Sequence, residues 1–486
     1  SLAPPGELER MHRARWQQLD LAEQETLQAL AVLGRPASGG LLLELVLEAI
    51  GEGEMPLVGL PLERLEQEGW FHRTPEGLYQ FSQGPLAGLV HGWCEGDRRA
   101  ELHRAAAAAL RRAGSQDPVE RLRHAVGAGE ADLALEALVP ARERLAGLGA
   151  FRLAIQLHQD TLELLHEGDE RRAMLLAELG RLQRLAGDLK PALHTLEEAC
   201  AGLQGDQAFE ARMDLAAVHR EAGRGERAVE VLAEVLEGAA PPAHRVKALA
   251  ELATTQVALD EHEAVLETVA RALEVMEQAG PDAALVDAPT EARLRGDKAW
   301  SLGYLQRHEQ SDRAFQRALD AARASGSSRV EASILNMMAV LAFRRAEYGR
   351  MGELSLEALA RAEEARDMER VATIRLNLGV FHVQRGEYAR CLEHLEQSLR
   401  LFEAMGARKH LATARCNHGY VQLKLGLLEQ ARRTLRQAVD ETREVGRRSG
   451  EALALLLLAL VDARQGHGER ARHGIENARR GQALTL

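Results

Sequence analysis

The sequence predicts an all-α fold: a right-handed α-solenoid of stacked helical hairpins, preceded by a small module of three helices and one β-hairpin. Three observations carry this expectation. Leu378-Gly379, His418-Gly419 and Leu458-Ala459 recur at a fixed step, since 419 − 379 = 40 and 459 − 419 = 40, and Met338-Ala339 lies one step upstream. Within each unit the apolar residues follow a helical period on both sides of a turn. The first 110 residues lack this repeat and contain two short aromatic segments around a Pro-Glu-Gly turn. A fixed period of this length is the mark of a solenoid, whose units bury their apolar faces only against one another.

Residues 1–18 read as a helical lead-in. Asp20 followed by Glu23 is a capping box that opens a helix running to Leu33, and Gly34 stops it ahead of Pro36. A second apolar run covers Leu41 to Ile50, and Pro61 suits the first turn of a third helix ending at Gly69. Trp70–Arg73 and Leu78–Phe81, joined by Thr74-Pro75-Glu76-Gly77, form a β-hairpin. Three helices and a hairpin make residues 19–110 a winged helix. Residues 111–168 read as a helical connector and 169–486 as the solenoid, with about eight hairpins.

One unit shows the solenoid logic. Leu376, Leu378, Gly379, Phe381 and Val383 share a helix face, Gly386 breaks the helix, and Cys391, Leu395, Ser398 and Leu399 resume the period. The next units repeat it as Gly419, Gly426, Ala431, Leu435, Ala438 and as Ala459, Gly466, Ala471, Ile475, Ala478. Gly180, Gly187, Ala192, Leu196, Ala199 and Ala216, Gly223, Ala228, Leu232, Val235 are earlier copies. The units at Ala253/Asp260/Val265, at 299–322 with Ser311 and Phe315, and at 339–359 with Ala346, Met351 and Ser355 depart from the pattern.

This small-residue pattern with a turn Gly resembles the tetratricopeptide repeat. Its period exceeds that family's usual 34 residues. It looks like the longer-helix subtype of kinesin light chains and bacterial signalling ATPases. The N-terminal part resembles the winged-helix region after the ATPase core of bacterial signal-transduction ATPases with numerous domains. The residues that carry the likeness are Leu30–Arg35, Leu65 with Glu68-Gly69, Tyr79–Phe81, Arg99 with Leu102-His103 and Leu110, and His124 with Ala128-Gly129 and Ala134. Gln83 stands where that family usually carries His. The resemblance implies a sensor region whose winged helix is an internal packing module.

Composition excludes several classes. A formal net charge of −12 argues against a general nucleic-acid or membrane-surface binder. The would-be recognition helix at Pro61–Glu68 sets Glu63, Glu66 and Glu68 against Arg64. No apolar run is long enough to span a bilayer, and the opening Ser-Leu-Ala-Pro-Pro-Gly has no secretory pattern. That opening lacks Met, so the chain is expected to be a segment of a longer protein. Cys94, Cys200, Cys391 and Cys416 form no CxxC and read as small buried residues in a reducing cytoplasm. There is no GxxxxGK[ST]; Gly39-Gly40 and Gly51-Glu52-Gly53 read as loops without its Lys. No hydrolase, metalloprotease or kinase motif set is present, His467/His473 and His382/His394 read as packing or surface residues, and no cofactor, metal or catalytic group is assigned.

What remains is the groove. In tetratricopeptide arrays the first helix of each unit lines the concave face. In the longer-helix subtype an Asn just before the Leu-Gly step often contacts bound peptide. Asn377 and Asn417 hold that place, and Asn336 lies close to its equivalent. An amide both donates and accepts, so these residues serve either an extended peptide backbone or hydrogen bonds between helices. Arg344, Gln384, Lys424 and Arg464 fall one turn or two later and can meet acidic groups or simply be solvated. The function expected is a non-enzymatic sensor or protein-interaction region, with a protein, peptide or small effector in the groove and an upstream ATPase domain outside this chain. A free-standing scaffold for a partner protein is the alternative.

Overall fold

The structure, a computed structural model, describes residues 5–50, 60–112, 117–148, 150–238, 240–279, 288–405, 407–444 and 448–483. Among them are 25 α-helices and one two-stranded sheet. No described helix is long and apolar enough to cross a membrane. The chain divides into two compact units, residues 1–182 and 183–486.

The first unit begins with α1 (Pro5–Trp16), α2 (Leu21–Leu33), α3 (Gly39–Ile50) and α4 (Leu62–Gln67). The capping box forms: the Glu23 amide donates to Asp20 Oδ1 and the Asp20 amide to Glu23 Oε2, each at 2.9 Å. Gly34 closes α2 at φ +65°, a left-handed conformation that Gly adopts at no steric cost. Strands β1 (Phe71–Arg73) and β2 (Tyr79–Phe81) pair antiparallel, with Phe71 opposite Phe81, and Tyr79 also bridges Ala37. Trp70, Phe71, Tyr79 and Phe81 enter a core with Leu27, Leu30, Leu42 and Leu65. Gly39 and Gly40 are not a loop. They start α3, because the apolar run after them carries the helix back to that point. Gly51-Glu52-Gly53 lies outside the described residues.

Helices α5 (Gly84–Trp93), α6 (Gly96–Arg112), α7 (Pro118–Gly127), α8 (Ala131–Gly147), α9 (Phe151–Glu163) and α10 (Arg171–Leu185) follow. Three histidines tie α5, α6 and α7 together. His91 Nε2 lies 3.3 Å from His103 Nε2, and His103 Nδ1 lies 3.0 Å from His124 Nδ1. Arg123 Nη2 reaches His124 Nε2 at 3.3 Å. An arginine only donates, so His124 carries its proton on Nδ1 and donates to His103, which donates onward to His91. Gly127 makes this approach feasible, since a Cβ there would sit 2.5 Å from the His103 ring. Burial, with the nearby Arg123 and Arg99, pushes His103 down to about 3, and burial with Arg123 pushes His124 down to about 2.

The second unit holds α11 (Leu189–Gly202) and seven hairpins: α12 (Gly205–Glu221)/α13 (Gly225–Glu237), α14 (Pro242–Ala258)/α15 (His262–Ala279), α16 (Ala288–Tyr304)/α17 (His308–Ala324), α18 (Ser328–Arg344)/α19 (Tyr348–Glu364), α20 (Met368–Gln384)/α21 (Tyr388–Met405), α22 (Arg408–Lys424)/α23 (Leu428–Glu444) and α24 (Arg448–Arg464)/α25 (Gly468–Ala483). This is a tetratricopeptide-like helical solenoid. The units that depart from the sequence pattern keep its turn: Asp260, Gln306 and Ala346 have φ of 59°, 60° and 59°, beside Gly386, Gly426 and Gly466 at 73°, 76° and 78°. Cys391, Ser398, Ala431 and Ala438 are fully buried at the helix seams. Cys200 is only half-buried, unlike the other three cysteines. Ile475 is 39% exposed where its counterparts Leu395 and Leu435 are buried, because no described helix follows α25.

Two substitutable features follow. A Cβ on Gly419 would meet Leu435 Cγ at 2.6 Å, so Gly419→Leu should overpack the α22/α23 seam and cost about 1–3 kcal/mol. Hydrogen exchange should loosen first in the C-terminal units; uniform protection across 376–478 would contradict this. In the first unit, the buried neutral histidines bind protons only after unfolding, so their stabilisation is complete above pH 6.5 and lost as pH falls toward 3. At pH 5 each of His103 and His124 should cost about 2 kcal/mol relative to neutrality. Denaturant unfolding followed by tryptophan fluorescence, with Trp16, Trp70 and Trp93 all in this unit, should show the loss. An unfolding midpoint unchanged between about pH 7.5 and about pH 5, roughly one unit above and one and a half below histidine's ordinary pKa, would disprove it.

Candidate functional site

Successive first helices of the hairpins, α12, α14, α16, α18, α20, α22 and α24, pack against one another, while successive second helices make no comparable contact. The first helices therefore form the inner layer. From α16 to α24 they start at residues 288, 328, 368, 408 and 448, so equivalent inner positions stay 40 residues apart. One inner row reads Trp300, Val340, Val380, Tyr420, Leu460, and the row one turn on reads Tyr304, Arg344, Gln384, Lys424, Arg464.

Three contacts link neighbouring inner helices, and a fourth lies within α22. Asn377 Nδ2 donates to Asn336 Oδ1 at 2.9 Å, linking α20 to α18. The Arg344 guanidinium lies 4.1 Å from the Tyr304 ring centroid, linking α18 to α16. Arg464 Nη1 donates to the Leu423 carbonyl at 3.1 Å, and the Lys424 ammonium lies 5.3 Å from the Tyr420 ring. The structure thus brings Asn336 and Asn377 together. Asn417 is half-buried on α22 and makes no hydrogen bond among the described residues. Arg344, Gln384, Lys424 and Arg464 are exposed at the ends of their helices.

The register of Asn377 and Asn417 continues toward the N-terminus as acids. Asp214, Glu251 and Asp297 stand nine residues past the starts of α12, α14 and α16, as do the two asparagines on α20 and α22. These carboxylates are buried and matched internally. Arg184 meets Asp214 at 3.5 Å, Arg220 meets Glu251 at 2.8 Å, and Arg293 meets Glu251 at 3.7 Å. Thr254 Oγ1 donates to Asp297 Oδ2 at 3.0 Å. Asp297 is 2% exposed, and burial pushes its carboxyl up to about 6, against the pull of Arg293. The amide half of the register is different. Asn336 and Asn377 each keep one hydrogen-bonding group unused, and Asn417 keeps both.

Sequence reasoning passed over Trp300, Tyr304 and Asp297. Counting back 40 residues at a time from Tyr420, Lys424 and Asn417 reaches all three. His382 stacks on His394, with ring centroids 5.2 Å apart, and its Nδ1 meets Glu387 Oε2 at 2.8 Å. His467 Nδ1 lies 3.2 Å from Arg432. Among the described residues no group of three ligating side chains could hold a metal ion.

Residues 370–440, from α20 to α23, match the tetratricopeptide repeat family. No curated protein matches the chain. Among solved structures, a Rap protein crystallised with the Competence and Sporulation Factor is similar at 15% identity and a TM-score of 0.50, over 76% of this chain and 98% of that one. A signal transduction ATPase with numerous domains carrying a tetratricopeptide repeat sensor, from Pyrococcus horikoshii, is similar at 15% identity and a TM-score of 0.46, over 99% of this chain. This chain spans 65% of that protein's length. BtubC from P. vanneervenii is similar at 17% identity and a TM-score of 0.42, over 46% of this chain and 92% of that one. At these identities the likeness is one of fold. The repeats define a protein-interaction scaffold.

The geometry separates the asparagines experimentally. Asn377→Ala removes the bond to Asn336 and should cost about 0.5–1.5 kcal/mol of stability. Asn417→Ala removes no intramolecular bond and should leave the melting temperature where it was. Equal destabilisation by the two substitutions would show that Asn417 is held within the solenoid as well.

Proposed function

We propose that this chain is the sensor and interaction region of a signalling ATPase, and that it binds an extended peptide segment on the inner face between α18 and α24. One observation carries the reading. Along one register the solenoid pairs its own polar groups as far as α16, and beyond that point Asn377 and Asn417 on that register, with Asn336 one residue off it, present amides with unused donors or acceptors beside an apolar row. A peptide backbone offers those groups their missing partners, and Val340 and Val380 offer its side chains an apolar surface. Asn336, Asn377 and Asn417 hold the backbone; Arg344, Gln384, Lys424 and Arg464 meet its polar side chains.

The first unit supports the ATPase context. Three helices, a hairpin and the Ala37–Tyr79 bridge are what a winged helix requires, and the motifs from Leu30-Ala31 to His124 resemble those following the ATPase core of such proteins. In this reading the nucleotide site lies upstream of the chain, in the cytoplasm, and ligand occupancy shifts the population of ATPase states. The winged helix is a packing module, not a DNA reader: α4 is six residues long, and Glu66 and Glu68 are ion-paired to Arg73 and Arg64.

Selection of displayed random peptides on the whole chain, followed by hydrogen exchange with and without a selected peptide, tests the reading. Added protection should fall on α18, α20, α22 and α24. Asn377→Ala and Asn417→Ala should each weaken binding about tenfold or less, as the loss of one hydrogen bond does. Protection confined to the first unit or to the outer helices would reject the proposal.

A further inference from the structure

Two features of the inner face are not absorbed by the asparagine register. The first is aromatic. Aromatic residues make up 3% of the chain, and three of its four tryptophans belong to the first unit. The fourth, Trp300, is half-buried on the inner row of α16, with one side against the core beneath it. Its ring centroid lies 4.9 Å from that of Tyr304. The Tyr304 ring also meets the Arg344 guanidinium at 4.1 Å and the buried His262 ring at 4.5 Å. Trp, Tyr and Arg are the residue types that dominate binding hot spots, and the contacts of Tyr304 with Trp300, Arg344 and His262 restrict its side chain before any ligand arrives.

The second feature is charge. In this acidic chain the neighbouring arginines are paired: Arg345 with Asp312, Arg415 with Glu403 and Glu441, Arg432 with Asp462. Arg344, Lys424 and Arg464 share one exposed inner row, and none has a carboxylate partner among the described residues. Each instead faces a ring or a backbone carbonyl, which leaves its charge uncompensated. Three such cations along one edge of a groove, in a chain of net charge −12, form a local field opposite in sign to that of the whole molecule.

We infer that the occupant of the groove is an acidic peptide, anchored by a large apolar or aromatic side chain on Trp300 and Tyr304, with its carboxylates directed along the Arg344–Lys424–Arg464 row. This rests on the peptide reading above, extends its groove by one inner helix to α16, and adds the chemistry of the ligand. Packed helices stand about 8–10 Å apart, and an extended chain advances about 3.3 Å per residue. Carboxylates about three residues apart therefore match Lys424 and Arg464, and one about six residues from Lys424's partner matches Arg344.

The test uses the whole chain and three fluorescein-labelled pools of short peptides with the same randomised apolar and aromatic positions. The remaining positions carry Asp/Glu, Ser/Gln or Lys/Arg. By fluorescence anisotropy the acidic pool should bind at least about tenfold more tightly than the basic pool, with an advantage that shrinks as salt rises. The triple variant Arg344→Gln, Lys424→Gln, Arg464→Gln alters only exposed side chains. It should abolish the acidic preference, bringing the acidic pool to the affinity of the Ser/Gln pool, with any loss for the Ser/Gln pool smaller than that for the acidic pool. Trp300→Leu should weaken every pool, and Trp300→Phe should restore most of the loss, with melting curves confirming folded protein. Equal binding of all three pools, or an acidic preference that survives the triple variant, overturns the charge inference and leaves the peptide groove standing. Unchanged binding by folded Trp300→Leu overturns the anchor. Binding of no pool rejects the peptide reading itself.

Discussion

A Cβ on Gly419 would lie 2.6 Å from Leu435, one on Gly379 2.9 Å from Leu395, and one on Gly303 2.5 Å from Leu341. This near-contact of backbone and leucine is the constraint on which the rest of the solenoid depends. It lets neighbouring helices approach until their side chains interlock, which is where a protein interior gains its dispersion energy. At two seams that carry Ser instead of Gly or Ala the hydroxyl is matched across the seam: Ser311 donates to the Ala299 carbonyl and Ser398 to the Ala372 carbonyl, at 2.7 and 2.8 Å, whereas the buried Ser355 hydroxyl has no partner among the described residues. Keeping that seam identical from unit to unit holds the inner rows in register over five helices. The candidate site exists only because of that register.

The turns show how far the sequence could be read. Gly386, Gly426 and Gly466 announced a left-handed residue after each first helix, because Gly alone enters that region without a steric penalty. Asp260, Gln306 and Ala346 hold the same conformation with no sequence signal. An L-residue there costs roughly 1–2 kcal/mol, and packing of the two flanking helices outweighs it. These units looked irregular as sequence and are regular as structure. The capping box at Asp20 and the hairpin around Gly77 were legible because both are local. Gly39-Gly40 misled for the converse reason, since a helix propagated from a strongly apolar run overrides two glycines at its start.

The site was legible where a residue type recurred and hidden where it changed. Asn377 and Asn417 stood out because asparagine is a mediocre helix former repeated at one position. Asp214, Glu251 and Asp297 occupy the same position, but as acids of two kinds in a chain rich in acids they carry no such signal. Their partners Arg184, Arg220 and Thr254 lie on the preceding first helix, 30 or more residues away (214 − 184 = 30, 251 − 220 = 31, 297 − 254 = 43), and not within one turn. Trp300 and Tyr304 escaped notice because their unit lacks both the turn glycine and the asparagine that marked the others.

The change from carboxylate to amide along one register has a physical reason that connects fold and function. A carboxylate withdrawn from water must be paired, or it destabilises the fold and takes up a proton. The acids of α12 and α14 are accordingly held by arginines, and the carboxyl of Asp297, deeper and without a direct arginine contact, is pushed up to about 6. Such a position is committed to the solenoid and cannot be released to a ligand at small cost. A half-exposed amide carries no net charge, and water satisfies its free groups when the groove is empty. Asn336, Asn377 and Asn417 can therefore exchange water for a peptide backbone while the helices beneath them stay as they are. The inner face holds itself together with charge in one half and remains available for recognition in the other.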